Sequence, residues 1–206
     1  MLTDPHGSSL QHDRAGRVDA IVIGASAGAV EALGTLLPAL PSTLDVPVIV
    51  VVHVPSNRPS LLVELFAPKC GLSVREAEDK EPVAERTVWF APPGYHLLIE
   101  SDRTFALSVD EPVNYSRPSI DVLFESAADV YGHRLLALVL TGANQDGSHG
   151  AVAVHQAGGL VAVQDPSTAQ SPTMPALCIA RAQPDFVGSL RELASYATEQ
   201  ASRGQS

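Results

Sequence analysis

A chain of 206 residues has the length of one α/β domain, and 45% hydrophobic against 17% charged residues with a positive mean hydropathy fit a packed globular core, which excludes a disordered protein. The formal net charge of −10, with only 13 Lys plus Arg, argues against a nucleic-acid partner and against an anionic membrane surface, because phosphate contacts need clustered cations. The two cysteines, Cys70 and Cys178, stand far apart and match no metal or redox spacing, so the composition calls for no metal, no cofactor and a reduced, cytoplasmic chain.

Residues 1–17 are polar, carry Pro5, Gly7, Ser8, Ser9 and Gly16, and lack the apolar core of a signal peptide; they read as a flexible tail ahead of a single domain over 18–203. Residues 18–23 form an apolar run that breaks into Gly24-Ala25-Ser26-Ala27-Gly28, a buried strand turning sharply into a helix. Such a turn exposes a hydroxyl at the strand end and aims helix N-terminal N–H groups outward, so it suits either a nucleophile or an anion cradle. Val30, Leu33, Leu36, Leu37 and Leu40 predict the first crossover helix over 26–40, stopping near Pro38 and Pro41. Residues 46–54 (VPVIVVVHV) have the near-continuous β-branched character of a parallel strand covered on both faces, and they end at His53. A helix over 57–68 follows, with Asn57 as cap and Pro59 in its first turn, and then a strand over 72–77.

Residues 87–110 break into short alternating runs between turn residues and predict a small antiparallel excursion away from the catalytic scaffold. Helical spacing returns over 118–131 through Ile120, Leu123, Phe124 and Ala127. The strand over 133–141 runs into Gly142-Ala143-Asn144-Gln145-Asp146-Gly147, a second polar loop bounded by glycine. A helix over 148–157, a strand over 160–164, a Pro-rich loop over 165–175 and helical segments over 176–181 and 188–201 complete the chain. No apolar run approaches the ~20 residues of a membrane-spanning helix. The order predicts an α/β fold with a doubly wound, mostly parallel sheet.

In such a sheet the loops leaving the strand C-termini share one edge, where ligands bind. Three of those ends carry Ser26, His53 and Asp146. A hydroxyl needs a base to take its proton, and an imidazole needs an acceptor on its other nitrogen, so the three residue types supply nucleophile, base and orienting acid. Each also has a plainer use: His53 as a structural histidine, Asp146 as a cap for the helix after Gly147. Their common placement at one sheet edge favours the catalytic reading. His96, His133, His149 and His155 show no ligand spacing and are assigned no chemistry.

IGASAGAVEAL over 23–33, VVHVP over 51–55, REAEDKEPV over 75–83, APPGYHL over 91–97, RPSIDVLFESAA over 117–128 and LTGANQDGSHG over 140–150 together resemble the catalytic domain of bacterial chemotaxis protein-glutamate methylesterases. The resemblance implies a Ser-His-Asp hydrolase that removes methyl esters from glutamate side chains of methyl-accepting chemoreceptors, and often deamidates receptor glutamines. Motif by motif it places the nucleophile on Ser26, the base on His53 and the acid on Asp146. The backbone N–H groups of Ala27 and Ala143 become the expected oxyanion donors, and Arg117 a candidate for the substrate rim.

The family usually has Thr-Gly-Met-Gly-x-Asp-Gly in the acid loop, where this chain has Ala143 and Asn144, and its late Met-Pro-Arg-Glu-Ala-like stretch reads Met174-Pro175-Ala176-Leu177-Cys178 here. With only residues 1–17 ahead of the first strand, the reading expects no phosphorylatable receiver domain, and so constitutive activity or a separate regulatory partner. Two rivals use the same residues differently. One is a receptor-binding adaptor whose altered loop has lost catalysis; the other is a phosphate- or nucleotide-binding module on the Gly-Ala-Ser-Ala-Gly turn, which lacks a Walker lysine and the full dinucleotide fingerprint.

Overall fold

Apolar residues that alternate along a strand can serve two cores at once, and the first strands do this in register. In the computed structural model, which describes residues 16–54 and 60–203, β1 (Ala20–Ala25) and β2 (Val48–Val52) lie parallel with Ile21 opposite Val48 and Ile23 opposite Val50. Ile21, Ile23, Val48 and Val50 face one core; Ala20, Val22, Ile49 and Val51 face the other. The first core is closed by α1 (Ala29–Leu36), α2 (Leu62–Phe66) and α6 (Leu190–Ser202). The second is closed by α3 (Ile120–Tyr131), α4 (Ser148–Gln156) and α5 (Thr173–Ala182).

With β3 (Ser73–Glu76), β4 (Thr87–Phe90), β7 (Leu135–Val139), β8 (Leu160–Gln164) and β9 (Phe186–Gly188), these strands make one seven-stranded sheet in the order β3-β4-β2-β1-β7-β8-β9. Every pairing in it is parallel. The chain runs outward from β1 through β2, then returns to β1's other side as β7, so the sheet's switch point lies at β1, where a crevice opens above the strand ends. β5 (His96–Ile99) and β6 (Phe105–Ser108) pair antiparallel as a separate two-stranded sheet. The fold is the doubly wound, mostly parallel α/β architecture with a small antiparallel piece.

Three expectations need correcting. TVWF at Thr87–Phe90 belongs to the main parallel sheet, and only β5 and β6 form the antiparallel piece. All four residues of β4 are buried, so their unbroken apolarity marks a strand covered on both faces rather than a hairpin arm. β9 was not anticipated, being three residues long, and α5 begins within the expected loop at Thr173. Pro175 is tolerated there because first-turn N–H groups have no intrahelical partner to lose. The crossover helix begins at Ala29 rather than Ser26, and its end tightens into a 3-10 turn over Leu37–Ala39 that contains Pro38. Asn57 and Pro59, expected to open the next helix, lie outside the described residues. Among the described residues, no helix is long and apolar enough to cross a membrane.

Candidate active site

Ser26 follows β1 directly and is held by its backbone, its N–H donating to Thr141 O at 2.9 Å while its carbonyl accepts from Ala29 N at 2.9 Å. The turn into α1 closes through Gly28, the N-cap, at φ 85. A side chain there would carry the strain of a left-handed backbone, and its Cβ would stand 2.6 Å from Gln170 Oε1. Gly24 is required for another reason, since a Cβ on it would overlap the Ile120 side chain at the head of α3. Small residues on β1 thus bring the α3 N-terminus in close behind the serine.

His53, just beyond β2, joins the two other sequence-selected residues. Its Nδ1 lies 3.1 Å from Ser26 Oγ and its Nε2 2.8 Å from Asp146 Oδ2. Asp146 is fully buried and holds five donors. Oδ2 accepts from His53 Nε2 and from Ile120 N at 2.7 Å; Oδ1 accepts from Ser119 Oγ at 2.8 Å, Asn114 Nδ2 at 3.0 Å and Asp121 N at 3.2 Å. Burial opposes its ionisation, but the bonds from His53, Ile120 and Ser119 outweigh that cost and hold the carboxyl at about 2. An ionised carboxylate only accepts, so Nε2 carries the ring proton and Nδ1 presents its lone pair to Ser26. Asp146 also satisfies the orphan N–H groups at the start of α3, in place of the capping of its own following helix weighed from sequence; Gly147, at φ 87, caps α4 instead.

Sequence reasoning missed the residues that surround Asp146. Val113 and Ser116 exchange backbone hydrogen bonds across a two-residue turn, with Asn114 at φ 50 and Tyr115 at φ 62. Two consecutive positive φ values suit Asn and strain Tyr, and Tyr115 is fully exposed at the tip. The turn swings Asn114 inward, where Nδ2 bridges Asp146 Oδ1 and Asp121 Oδ2 while Oδ1 accepts from Gln145 Nε2. Burial pushes the Asp121 carboxyl up, and the charge of Asp146 adds to the effect against the Gly150 N–H and Asn114 bonds. His96, assigned no chemistry, is buried with Nε2 donating to Glu111 O and Nδ1 accepting from Ser119 N, which fixes the serine that binds Asp146. Asn-Tyr ahead of Arg-Pro-Ser was the available signal for this turn.

The remaining predicted residues are less tightly drawn in. Ala27 and Ala143 are exposed, and neither backbone N–H has a hydrogen-bond partner among the described residues. The altered loop is pinned from behind: Thr141 N donates to Gln164 Oε1, Gly142 N to Ser171 O, and Met174 N to Gly142 O. Neither Ala143 nor Asn144 has a positive φ, so replacing glycine at Asn144 needs no left-handed backbone. Arg117 Nη1 donates to Val109 O and Asp110 O, yet Arg117 shares with His53, Pro112 and Ser116 the lining of a cleft of about 420 Å³. A second cleft of about 400 Å³ includes Ser26, Val30, Leu62 and the same His53. Among the described residues, no group of three or more His, Cys, Asp or Glu is placed to hold a metal.

A hydroxyl, a base nitrogen and an ionised acid in sequence can perform acyl transfer. Residues 21–197 match the model of the CheB methylesterase family. The chain belongs to the CheB methylesterase family. Its relatives in that family include a protein of Leptospira interrogans serogroup Icterohaemorrhagiae, 45% identical over 85% of this chain and 91% of its own length. A protein-glutamate methylesterase/protein-glutamine glutaminase of Trichodesmium erythraeum is 33% identical over 86% of this chain, which spans 51% of that longer relative. The crystal structure of the Thermotoga maritima CheB methylesterase catalytic domain superposes with a TM-score of 0.83 at 30% identity, covering 89% of this chain and 99% of that one.

Proposed function

We propose that the chain hydrolyses methyl esters of glutamate side chains on methyl-accepting chemoreceptors in the cytoplasm, and deamidates glutamines there, with residues 18–203 as one catalytic unit. The observation that carries this reading is the continuous Ser26–His53–Asp146 contact, 3.1 Å and 2.8 Å, at the switch point of a methylesterase fold. His53 Nδ1 takes the Ser26 proton as Oγ attacks the γ-carbonyl, and Asp146 holds the imidazolium that results. The proton then passes to the departing methoxide, and methanol leaves an acyl-serine for water to hydrolyse. Ala27 N–H and Ala143 N–H, without a partner among the described residues, serve the oxyanion; losing one such donor costs about 10²–10³ in rate. Arg117, its Nη1 committed to carbonyls at 109 and 110, shapes the rim of the cleft.

The adaptor reading needs an altered loop that no longer supports catalysis, whereas Asp146 in that loop holds His53 at 2.8 Å, and the phosphate module leaves His53 and Asp146 without a role; the contacts favour neither. Methanol release from a methylated chemoreceptor by the wild type, abolished in Ser26→Ala, tests the proposal. Undiminished release by that variant contradicts it. Control by a separate partner is part of the same proposal: a small-molecule phosphoryl donor should leave the turnover of this chain unchanged, and strong stimulation would refute that part.

A further inference from the structure

The nitrogen of His53 that faces Ser26 has two more polar neighbours. Ser116 Oγ lies 3.3 Å from Nδ1, and Asn144 Nδ2 lies 3.4 Å from it. The orientation of the Asn144 amide is fixed by chemistry: its Oδ1 takes the Asp146 N–H at 3.2 Å, and a backbone N–H can only donate, so the NH₂ end is the one toward His53. The Ser116 hydroxyl has two acceptors in reach, His53 Nδ1 at 3.3 Å and Asn114 O at 3.5 Å; with the Nδ1 lone pair taken by Ser26 its proton goes to Asn114 O, which leaves its own lone pairs to accept. Ser116 and His53 line the same 420 Å³ cleft, so this side of the nitrogen is open to a small molecule.

In the resting site Ser26 donates to Nδ1. Once Ser26 is acylated its Oγ has no proton, and Nδ1 must draw one from water. We propose that Ser116 and Asn144 seat this hydrolytic water, an inference that rests on Ser26 being the nucleophile. A water molecule has two protons and two lone pairs. One proton points to His53 Nδ1 and the other to Ser116 Oγ. One lone pair accepts from Asn144 Nδ2–H, which leaves the second aimed at the acyl carbon. As the water oxygen bonds to that carbon, its proton moves to Nδ1. When the tetrahedral intermediate collapses, the carbon–Oγ bond breaks and Nδ1 returns the proton to Ser26, freeing the glutamate carboxyl group. The same seat holds the departing methanol in the first half-reaction, where its oxygen takes the proton from Nδ1–H.

The inference separates two rates that a general structural role would lower together. In a single turnover with a chromogenic activated ester, released chromophore reports formation of the acyl-enzyme, and intact-protein mass spectrometry follows its decay. The phenolate of such an ester leaves without taking a proton, so it does not need the seat; Ser116→Ala and Asn144→Ala should form the acyl-enzyme at the wild-type rate and lose it about tenfold more slowly, the effect of one hydrogen bond to a developing charge. Asn144→Ser keeps an oxygen for the Asp146 N–H while withdrawing the amide donor, and should behave like Asn144→Ala. Unchanged decay, or formation slowed as much as decay, would overturn the water seat. Ser26→Ala, run alongside, should form no acyl-enzyme; if it forms one, the nucleophile assignment fails instead.

Discussion

Replacing Asp146 with Asn keeps the shape of the side chain and turns one of its two acceptors into a donor. Both oxygens are already occupied by donors, so the amide has no comfortable orientation. With the NH₂ at the Oδ1 position it meets Asn114 Nδ2 and Asp121 N; at the Oδ2 position it meets Ile120 N and forces His53 to accept at Nε2. That second arrangement moves the ring proton to Nδ1, the nitrogen that must take the proton of Ser26. We expect kcat to fall about 10⁴-fold, the scale of a wrong tautomer in a serine triad. Each buried donor left unpaired should cost a further 1–3 kcal/mol or so of stability.

The same residue fixes an acid limb. Held near 2 from an ordinary 3.8, it contributes about 2 kcal/mol at neutral pH. Because its folded value is the lower one, that contribution is complete above the unfolded value and is lost as pH falls from about 4 towards 2. Asp121, raised by burial, has the opposite sign: its ionisation costs stability at neutral pH, and the cost is relieved as pH falls through its raised value. Ester hydrolysis together with urea denaturation from pH 7 to pH 2 reads both effects. An Asp146→Asn protein within tenfold of wild-type kcat, or with an unaltered acid limb, would refute this reasoning.

Asn114→Ala should remove the donor shared by two buried carboxylates and destabilise by about 1.5–3 kcal/mol, read by urea denaturation, with Asn114→Asp worse because it adds a third carboxylate. Gly150→Ala should cost about 1–3 kcal/mol in thermal unfolding, since its Cβ would stand 2.5 Å from Phe124 Cβ and 3.0 Å from Asp121 Cα, where α4 meets α3. Burial, with the charge of Asp121 behind it, pushes the Cys178 thiol up to about 12, so a thiol reagent at pH 8 should label the half-buried Cys70 first; equal rates in the folded protein would contradict this packing.

How much of this was legible in the sequence depended on the range of the interaction. Ser26, His53 and Asp146 could be found because each follows an apolar run that can only be a covered strand, and parallel strands put their C-termini on one edge. The other groups that hydrogen-bond Asp146 could not. Asn114, Ser119 and Asp121 reach it through a turn with two left-handed residues and the buried start of α3, and nothing in local periodicity ties 114–121 to 146. His96 looked idle for the same reason, since its task is to hold the backbone of Ser119, 23 residues away. β4 was misplaced where short runs between turns resembled a hairpin, although the unbroken apolarity of TVWF carried the correct signal. In the altered acid loop, Asn144 stands where the family usually has glycine, and its backbone takes no positive φ, so the position carries no left-handed strain.

The central claim is that Ser26 is the nucleophile activated by His53. Peptide mapping of the protein after reaction with a fluorophosphonate tests it most directly. The adduct should lie on Ser26, and labelling should be lost in Ser26→Ala and strongly slowed in His53→Ala. An adduct on another serine, or one that forms at the same rate without His53, would contradict the account.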